Sequence, residues 1–319
     1  MIGVVGAGAF GTALAIALAR DGRQVLLWAR DPVHVATMAR DRQNAARLPG
    51  VTLPDSLTVT DKIAELTGAE VVLLALPMQT LGGFLAGNGR SLDGLPLVAC
   101  CKGVDVTSLK GAVALIEGAC PNSGAAVLTG PSFAADIARG LPTALTLACS
   151  GPQLETLQHR LSTATLRLYR TSDVAGAELG GALKNVVAIA AGVVIGANLG
   201  DSARAALMTR GYAEMQRFAL HLGARAETLS GLSGFGDLVL TCTSLQSRNL
   251  RYGIALGAGQ SFDPAVTVEG IATAQAVVRL AAQIRVDMPV AGMVAALIDR
   301  KIMLDQAVEA LMTRPLKEE

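Results

Sequence analysis

The stretch Ile2-Gly3-Val4-Val5-Gly6-Ala7-Gly8-Ala9-Phe10-Gly11-Thr12 decides how the first half of this chain folds. Ile2–Val5 is a short, unbroken apolar run, the pattern of a strand buried on both faces. Gly11–Arg20 follows with helical periodicity. Between them Gly6, Gly8 and Gly11 take the spacing GxGxxG. That spacing alone is weak evidence, but here a strand precedes it and a helix follows. Gly6 permits the tight turn, Gly8 lets a pyrophosphate approach the backbone, and Gly11 lets helix and strand pack closely. The helix N-terminus then turns free N–H groups and the positive end of its dipole towards the phosphates. The motif predicts a dinucleotide site.

The next strand, Val25–Trp28, ends at Ala29-Arg30-Asp31. An acidic residue there usually bonds the ribose 2′-OH of NAD, whereas an arginine suits the 2′-phosphate of NADP. Arg30 is the better placed of the two, and Asp31 remains available to a ribose hydroxyl. The expectation is NADP or dual use. Further strands are expected at Val71–Leu76, Leu97–Cys101, Ala126–Thr129, Ala144–Ala148 and Leu166–Tyr169, with helices at Thr107–Ala119 and Gln153–Leu161. Apolar strands alternating with helices predict a Rossmann-type, doubly wound parallel sheet.

After Thr171-Ser172-Asp173 the texture changes. Helical patterns take over at Glu178–Ala197, Ser202–Leu222, Leu238–Thr243, Asn249–Leu256, Val268–Ile284, Val290–Asp299 and Gln306–Met312. Pro289 suits a first turn, and Asp201-Ser202 and Asp305 suit N-caps. The fold class is therefore α/β, with an α/β dinucleotide-binding domain over residues 1–175 and an all-α substrate and catalytic domain over 176–319.

Composition narrows the functions. Of 319 residues, 51% are hydrophobic and 17% charged, the opposite of a disordered chain. A net charge of +1 and 3% aromatics give neither a field for nucleic acid nor a stacking platform for single strands. Long uncharged stretches such as Val71–Gly89 and Asn185–Gly200 are too broken by glycine, proline or amides to read as membrane spans. The chain opens directly on a strand with no basic leader, so a cytoplasmic protein is expected. Five cysteines without framework spacing read as buried thiols, and three scattered histidines predict no metal site and no Ser-His-Asp triad.

Two lysines stand out, because only six of the 27 basic residues are lysine. Lys102 follows the strand Leu97–Cys101, at the carboxyl end where ligands of open α/β sheets bind. Lys184, in Gly180-Gly181-Ala182-Leu183-Lys184-Asn185, is the only charged residue between Glu178 and Asp201. An amine in apolar surroundings is costly unless paired or functional. Burial lowers its pKa towards neutrality, as proton transfer to a carbonyl oxygen requires. The alternatives are a snorkelling stem for Lys184 and a solvated loop for Lys102.

A glycine-rich turn, Gly231-Leu232-Ser233-Gly234-Phe235-Gly236-Asp237, runs into a helix on which Asp237 and Thr241 share a face. Asp237 either pairs with Lys184 or simply caps that helix. Ser247-Arg248-Asn249 opens the next helix, either as a phosphate clamp or as an ordinary capped start. Thr129-Gly130-Pro131-Ser132-Phe133-Ala134 offers backbone donors after another strand.

Taken together, the chain resembles the NAD(P)-dependent glycerol-3-phosphate dehydrogenases of the bacterial type. The likeness rests on seven motifs in order: residues 6–12, Cys-Lys-Gly at 101–103, Gly-Pro-Ser-Phe-Ala at 130–134, Leu-Gly-Gly-Ala-Leu-Lys-Asn-Val at 179–186, Gly-Asp-Leu-Val-Leu-Thr-Cys at 236–242, Ser-Arg-Asn at 247–249 and Val-Glu-Gly at 268–270. It implies reversible reduction of dihydroxyacetone phosphate to sn-glycerol 3-phosphate, supplying glycerophospholipid synthesis, often by a homodimer. It implies Lys184 as the acid/base, and substrate contacts at Lys102, Gly130, Ser132, Asp237, Ser247, Arg248 and Asn249. Cofactor contacts are implied at Ala9, Phe10, Arg30, Lys102, Ala134, Arg248, Thr267 and Glu269, with Ala9 and Thr267 acting through position or backbone. The β-hydroxyacid dehydrogenases also carry a helix lysine, but with an asparagine four residues later, where this chain has Ala188. A regulator that senses the nucleotide without turnover would not need both lysines and a second anion site.

Overall fold

The apolar runs of the first half become strands because they pair side by side in one sheet packed against helices. In the computed structural model, which describes residues 1–312, these strands are β1 (Ile2–Val5), β2 (Val25–Trp28), β5 (Leu57–Thr60), β6 (Val71–Leu74), β7 (Leu97–Ala99), β8 (Ala125–Thr129), β9 (Thr143–Ala148) and β10 (Leu166–Thr171). They form one sheet in the order β10-β9-β8-β7-β6-β1-β2-β5. A small hairpin, β3 (Gln43–Asn44) with β4 (Leu48–Thr52), stands apart from it. The helices of this half are α1 (Ala9–Arg20), α2 (Pro32–Asp41), α3 (Met78–Leu92), α4 (Ala112–Ala119), α5 (Ala134–Arg139) and α6 (Leu154–Leu161).

Alternate residues feed two cores. Val4, Leu27, Leu73 and Val98 face α1 and α5, while Val5, Leu26, Leu74 and Leu97 face α3 and α4. The adjacent thiols Cys100 and Cys101 likewise join opposite cores, and all five cysteines are free and buried. Strand order reverses at β1, which has β2 on one side and β6 on the other. Ligands of open α/β sheets bind at such a switch point, beyond the carboxyl ends of the strands.

The sheet departs from the expected pattern in two places. β9 runs antiparallel to β8, so β9 and β10 point the opposite way from the rest. β5 is an edge strand whose Leu-Thr-Val-Thr sequence carries little apolar signal. α3 forms despite four glycines, because Met78, Leu81, Leu85 and Leu92 make one buried stripe. Thr107–Ala119 is helical only from Ala112; before it, Asp105 Oδ1 holds Ser108 N at 2.7 Å in a turn.

The second half is helical: α7 (Val174–Gly196), α8 (Asp201–His221), α9 (Ala226–Ser230), a π-helical turn (Leu232–Gly236), α10 (Asp237–Thr243), α11 (Arg248–Gly257), α12 (Glu269–Ile284), α13 (Pro289–Ile298) and α14 (Leu304–Met312). Pro289 takes the first turn as expected. Asp201 and Asp305 instead sit inside the first turns of α8 and α14, and Gly200, at φ 89°, caps α8. A boundary at residue 175 falls within the first turn of α7, and residues 313–319 of the expected second unit lie outside the described residues.

α7 is the axis of this half. It is long and apolar enough to cross a membrane, yet its most apolar window is 83% buried inside the protein. It crosses α11 at backbone contact distance. A Cβ at Gly192 would collide with Leu250 O, and one at Gly253 with Ile189 O. One turn further, Gly196 and Gly257 face Ile254 O and Val193 O in the same way. Gly253→Ala must therefore push two backbones apart, which costs about 3 kcal/mol, the upper end for overpacking. A loss of that size is expected in the urea unfolding free energy, read from a lower midpoint at unchanged slope, with no change in helix content at zero denaturant.

Candidate active site

The loop after β1 fits a dinucleotide diphosphate. Gly6 has φ 105°, and a side chain there would meet Ala75 O, just past β6, at 2.6 Å. Only glycine accepts that conformation and that approach. Gly11 packs against Gly6 O. Gly8 is exposed, and a Cβ there would meet nothing within 4 Å, so the space above it is open. The N-cap of α1 carries no side-chain hydrogen bond, which leaves the first-turn N–H groups to a ligand. Ala9 is the first residue of α1; Phe10 and Ala134, the first residue of α5, lean on the same sheet core.

Arg30 is exposed immediately after β2. Asp31 caps α2, its Oδ1 accepting from Val33 N at 2.9 Å, which leaves Oδ2 uncommitted by that bond.

The two lysines meet at one carboxylate. Lys184 lies in the middle of α7 with its side chain 8% exposed. Its Nζ donates to Asp237 Oδ1 at 2.9 Å and to Thr241 Oγ1 at 2.6 Å. Lys102, beyond β7, donates to Asp237 Oδ2 at 2.5 Å and to Gly130 O at 2.9 Å. Asp237 is 1% exposed and opens α10, whose N-cap is Gly236; its carboxylate bridges the lysines rather than capping the helix. Gly130 can aim its carbonyl at Lys102 because it sits at φ 133°. Ser132 Oγ donates to the same carbonyl at 3.3 Å. Neither the snorkelling reading of Lys184 nor the solvated loop for Lys102 survives this geometry.

Burial pushes the Lys184 pKa down to about 8, against the upward pull of Asp237. Lys102 adds a second downward push. Glu269, the first residue of α12, has its carboxyl raised by burial, opposed by Arg248, Lys102 and Lys184. Three cations thus share two carboxylates, and the cluster favours an anion.

The Ser247-Arg248-Asn249 segment divides its work. Ser247 is the N-cap of α11, its hydroxyl accepting from Leu250 N at 3.1 Å. Arg248 is exposed at the first position. Asn249 turns inward: Nδ2 donates to Asn185 Oδ1 and Oδ1 accepts from Gly270 N, both at 2.9 Å. It ties α11 to α7 and α12 before it can offer anything to a ligand. Thr267 is exposed ahead of α12, joined to the other site residues by no described hydrogen bond or ion pair. Asn185, Asn44 and His34 belong to the polar framework, and the sequence did not single them out. Among the described residues no group of His, Cys, Asp and Glu is arranged to hold a metal.

Residues 1–155 match the N-terminal region, and residues 173–309 the C-terminal region, of NAD-dependent glycerol-3-phosphate dehydrogenase. This chain belongs to that family. The dehydrogenase is accordingly an oxidoreductase that uses NAD or NADP. It is 62% identical over its whole length to glycerol-3-phosphate dehydrogenase [NAD(P)+] of Cereibacter sphaeroides, all of which it covers. It is 60% identical to that of Paracoccus denitrificans, again over its whole length and 99% of the relative. A crystal structure of glycerol-3-phosphate dehydrogenase from Coxiella burnetii superposes with a TM-score of 0.92 at 35% identity, covering 98% of each chain.

Proposed function

We propose that this dehydrogenase reversibly reduces dihydroxyacetone phosphate to sn-glycerol 3-phosphate, with Lys184 as acid/base, supplying glycerophospholipid synthesis. The observation that carries this reading is the Lys184–Asp237–Lys102 bridge beside the carboxyl edge of the sheet. Gly6, Gly8, Ala9, Phe10, Gly11, Arg30, Lys102 and Ala134 would hold the dinucleotide from the sheet side, and Arg248, Thr267 and Glu269 from the helical side.

When bound, the dinucleotide would supply the hydride needed at the ketone carbon. Lys184 has three N–H donors, two of them committed to Asp237 and Thr241, and the third serves the substrate oxygen. As negative charge grows on that oxygen, Lys184 gives up a proton to it and Asp237 keeps the amine aimed. Lys102 adds positive charge beside the oxyanion. Arg248 grips the phosphate together with the backbone of Asn249 and the capped Ser247 turn, and Gly130 and Ser132 line the approach. Binding energy from the phosphate end orients the carbonyl.

The division of labour, with a sheet domain over 1–175 and a catalytic helical domain from 176, belongs to the same proposal, as do a homodimer and a cytoplasmic location. The test is nicotinamide oxidation with dihydroxyacetone phosphate and with unphosphorylated dihydroxyacetone. Rapid turnover of the first and almost none of the second is expected; equal rates exclude the phosphate clamp, and no turnover of either excludes the reaction. In the same assay Arg30→Ala should lower kcat/KM for NADPH about tenfold and leave NADH nearly unchanged, the loss of one charged contact. An unaltered NADPH to NADH ratio removes Arg30 from cofactor choice.

A further inference from the structure

Asn44 carries no assigned role, yet its side chain is fully engaged at the diphosphate turn. It lies in the β3–β4 hairpin and is 1% exposed. Its Nδ2 donates to Ala7 O at 2.9 Å and to Thr12 Oγ1 at 2.7 Å. Its Oδ1 takes a hydrogen bond from His34 Nε2, 2.9 Å away on α2. A carbonyl oxygen only accepts, so the atom facing Ala7 O is the amide nitrogen, and His34 must present N–H at Nε2.

The consequence lies in the peptide between Ala7 and Gly8. In a trans peptide the C=O and N–H point in opposite directions. Drawing the Ala7 carbonyl inward to Asn44 therefore turns the Gly8 N–H the opposite way, away from Asn44. Were this peptide to flip, a carbonyl oxygen would face the diphosphate in place of a donor. Glycine at position 8 makes such a flip cheap on its own account. Thr12, 0% exposed in the first turn of α1, fixes the other side of the same amide. His34 stops the amide from turning over, and it stands on the helix that begins just after Arg30.

We infer that Asn44 is a positioning residue for the cofactor diphosphate, holding the Ala7–Gly8 peptide with its N–H outward, with His34 as its buttress. This inference rests on the proposed cofactor role of the turn from Gly6 to Gly11. The test measures NADPH binding to the full chain by nicotinamide fluorescence, together with both KM values and Tm. Asn44→Ala should raise the NADPH Kd about tenfold or more, the effect of one lost buried hydrogen bond on a strong contact. The KM for NADPH should rise in step, while that for dihydroxyacetone phosphate stays within about twofold, the split that distinguishes a local effect from general loosening. Asn44→Asp keeps the shape and the His34 bond but sets an oxygen against Ala7 O, so it should lose at least as much and guards against a folding failure of the alanine variant.

A Kd near wild type in either folded variant, or equal rises in both KM values, overturns the inference. Gly8→Val separates it from the reading beneath it. If Gly8→Val still binds NADPH normally, the turn is not the cofactor site and the role of Asn44 falls with it. If Gly8→Val loses NADPH while the Asn44 variants keep it, only the role of Asn44 falls.

Discussion

Lys184→Ala lowers kcat for reduction by about 10³, the usual worth of a positioned acid, and leaves NADPH affinity nearly unchanged. The protein should fold, because Lys102 still neutralises Asp237 at 2.5 Å and a costly buried ammonium has gone. The pH profile gives a second readout. In the proposed mechanism reduction needs the charged amine, whose pKa burial lowers to about 8. In the wild type, kcat/KM for the ketone should be level below that pH and fall above it. Oxidation of the alcohol needs the neutral amine, so its profile should rise through the same region. Both limbs vanish in the variant. Turnover within tenfold of wild type, or limbs that persist, assigns the proton to another group.

Asp237→Asn is the second large effect, because this carboxylate serves both lysines. Burial already holds the Lys184 pKa down, and Asp237 is the main group pulling it up. With that pull removed, the amine loses its proton at lower pH, and the falling limb of reduction moves below 8. At neutral pH kcat should drop roughly 10²-fold or more. Stability should also fall, by up to about 4 kcal/mol in urea unfolding, since two poorly solvated ammonium groups lose their partner. An unshifted limb together with an unshifted urea midpoint would show that the bridge is incidental.

The sequence made β1, the turn and α1 legible because three independent signals coincide there: an unbroken apolar run, glycine spacing and helical periodicity. Lys184 was visible for a related reason, as one charge in a long apolar segment. Asp237 was visible on a helix face shared with Thr241, where pairing with Lys184 and simple capping stayed open, and through the family resemblance. Its bridge to Lys102 joins residues 135 apart, and no periodicity encodes such a pairing. The reversal of β9 was hidden because an apolar strand looks alike in either direction. The inward turn of Asn249 and the hold of Asn44 on Ala7 O were hidden because both residues sit in ordinary polar surroundings along the chain.

The glycine crossing of α7 and α11 bears on which molecules the enzyme admits. Lys184 rides on one of these helices and Arg248 opens the other, and their backbones touch over a full turn. On the roles proposed for these two residues, the gap between proton donor and anion seat is therefore set within the helical half, and the length of phosphate ester the enzyme admits is governed by that crossing rather than by how the sheet is placed.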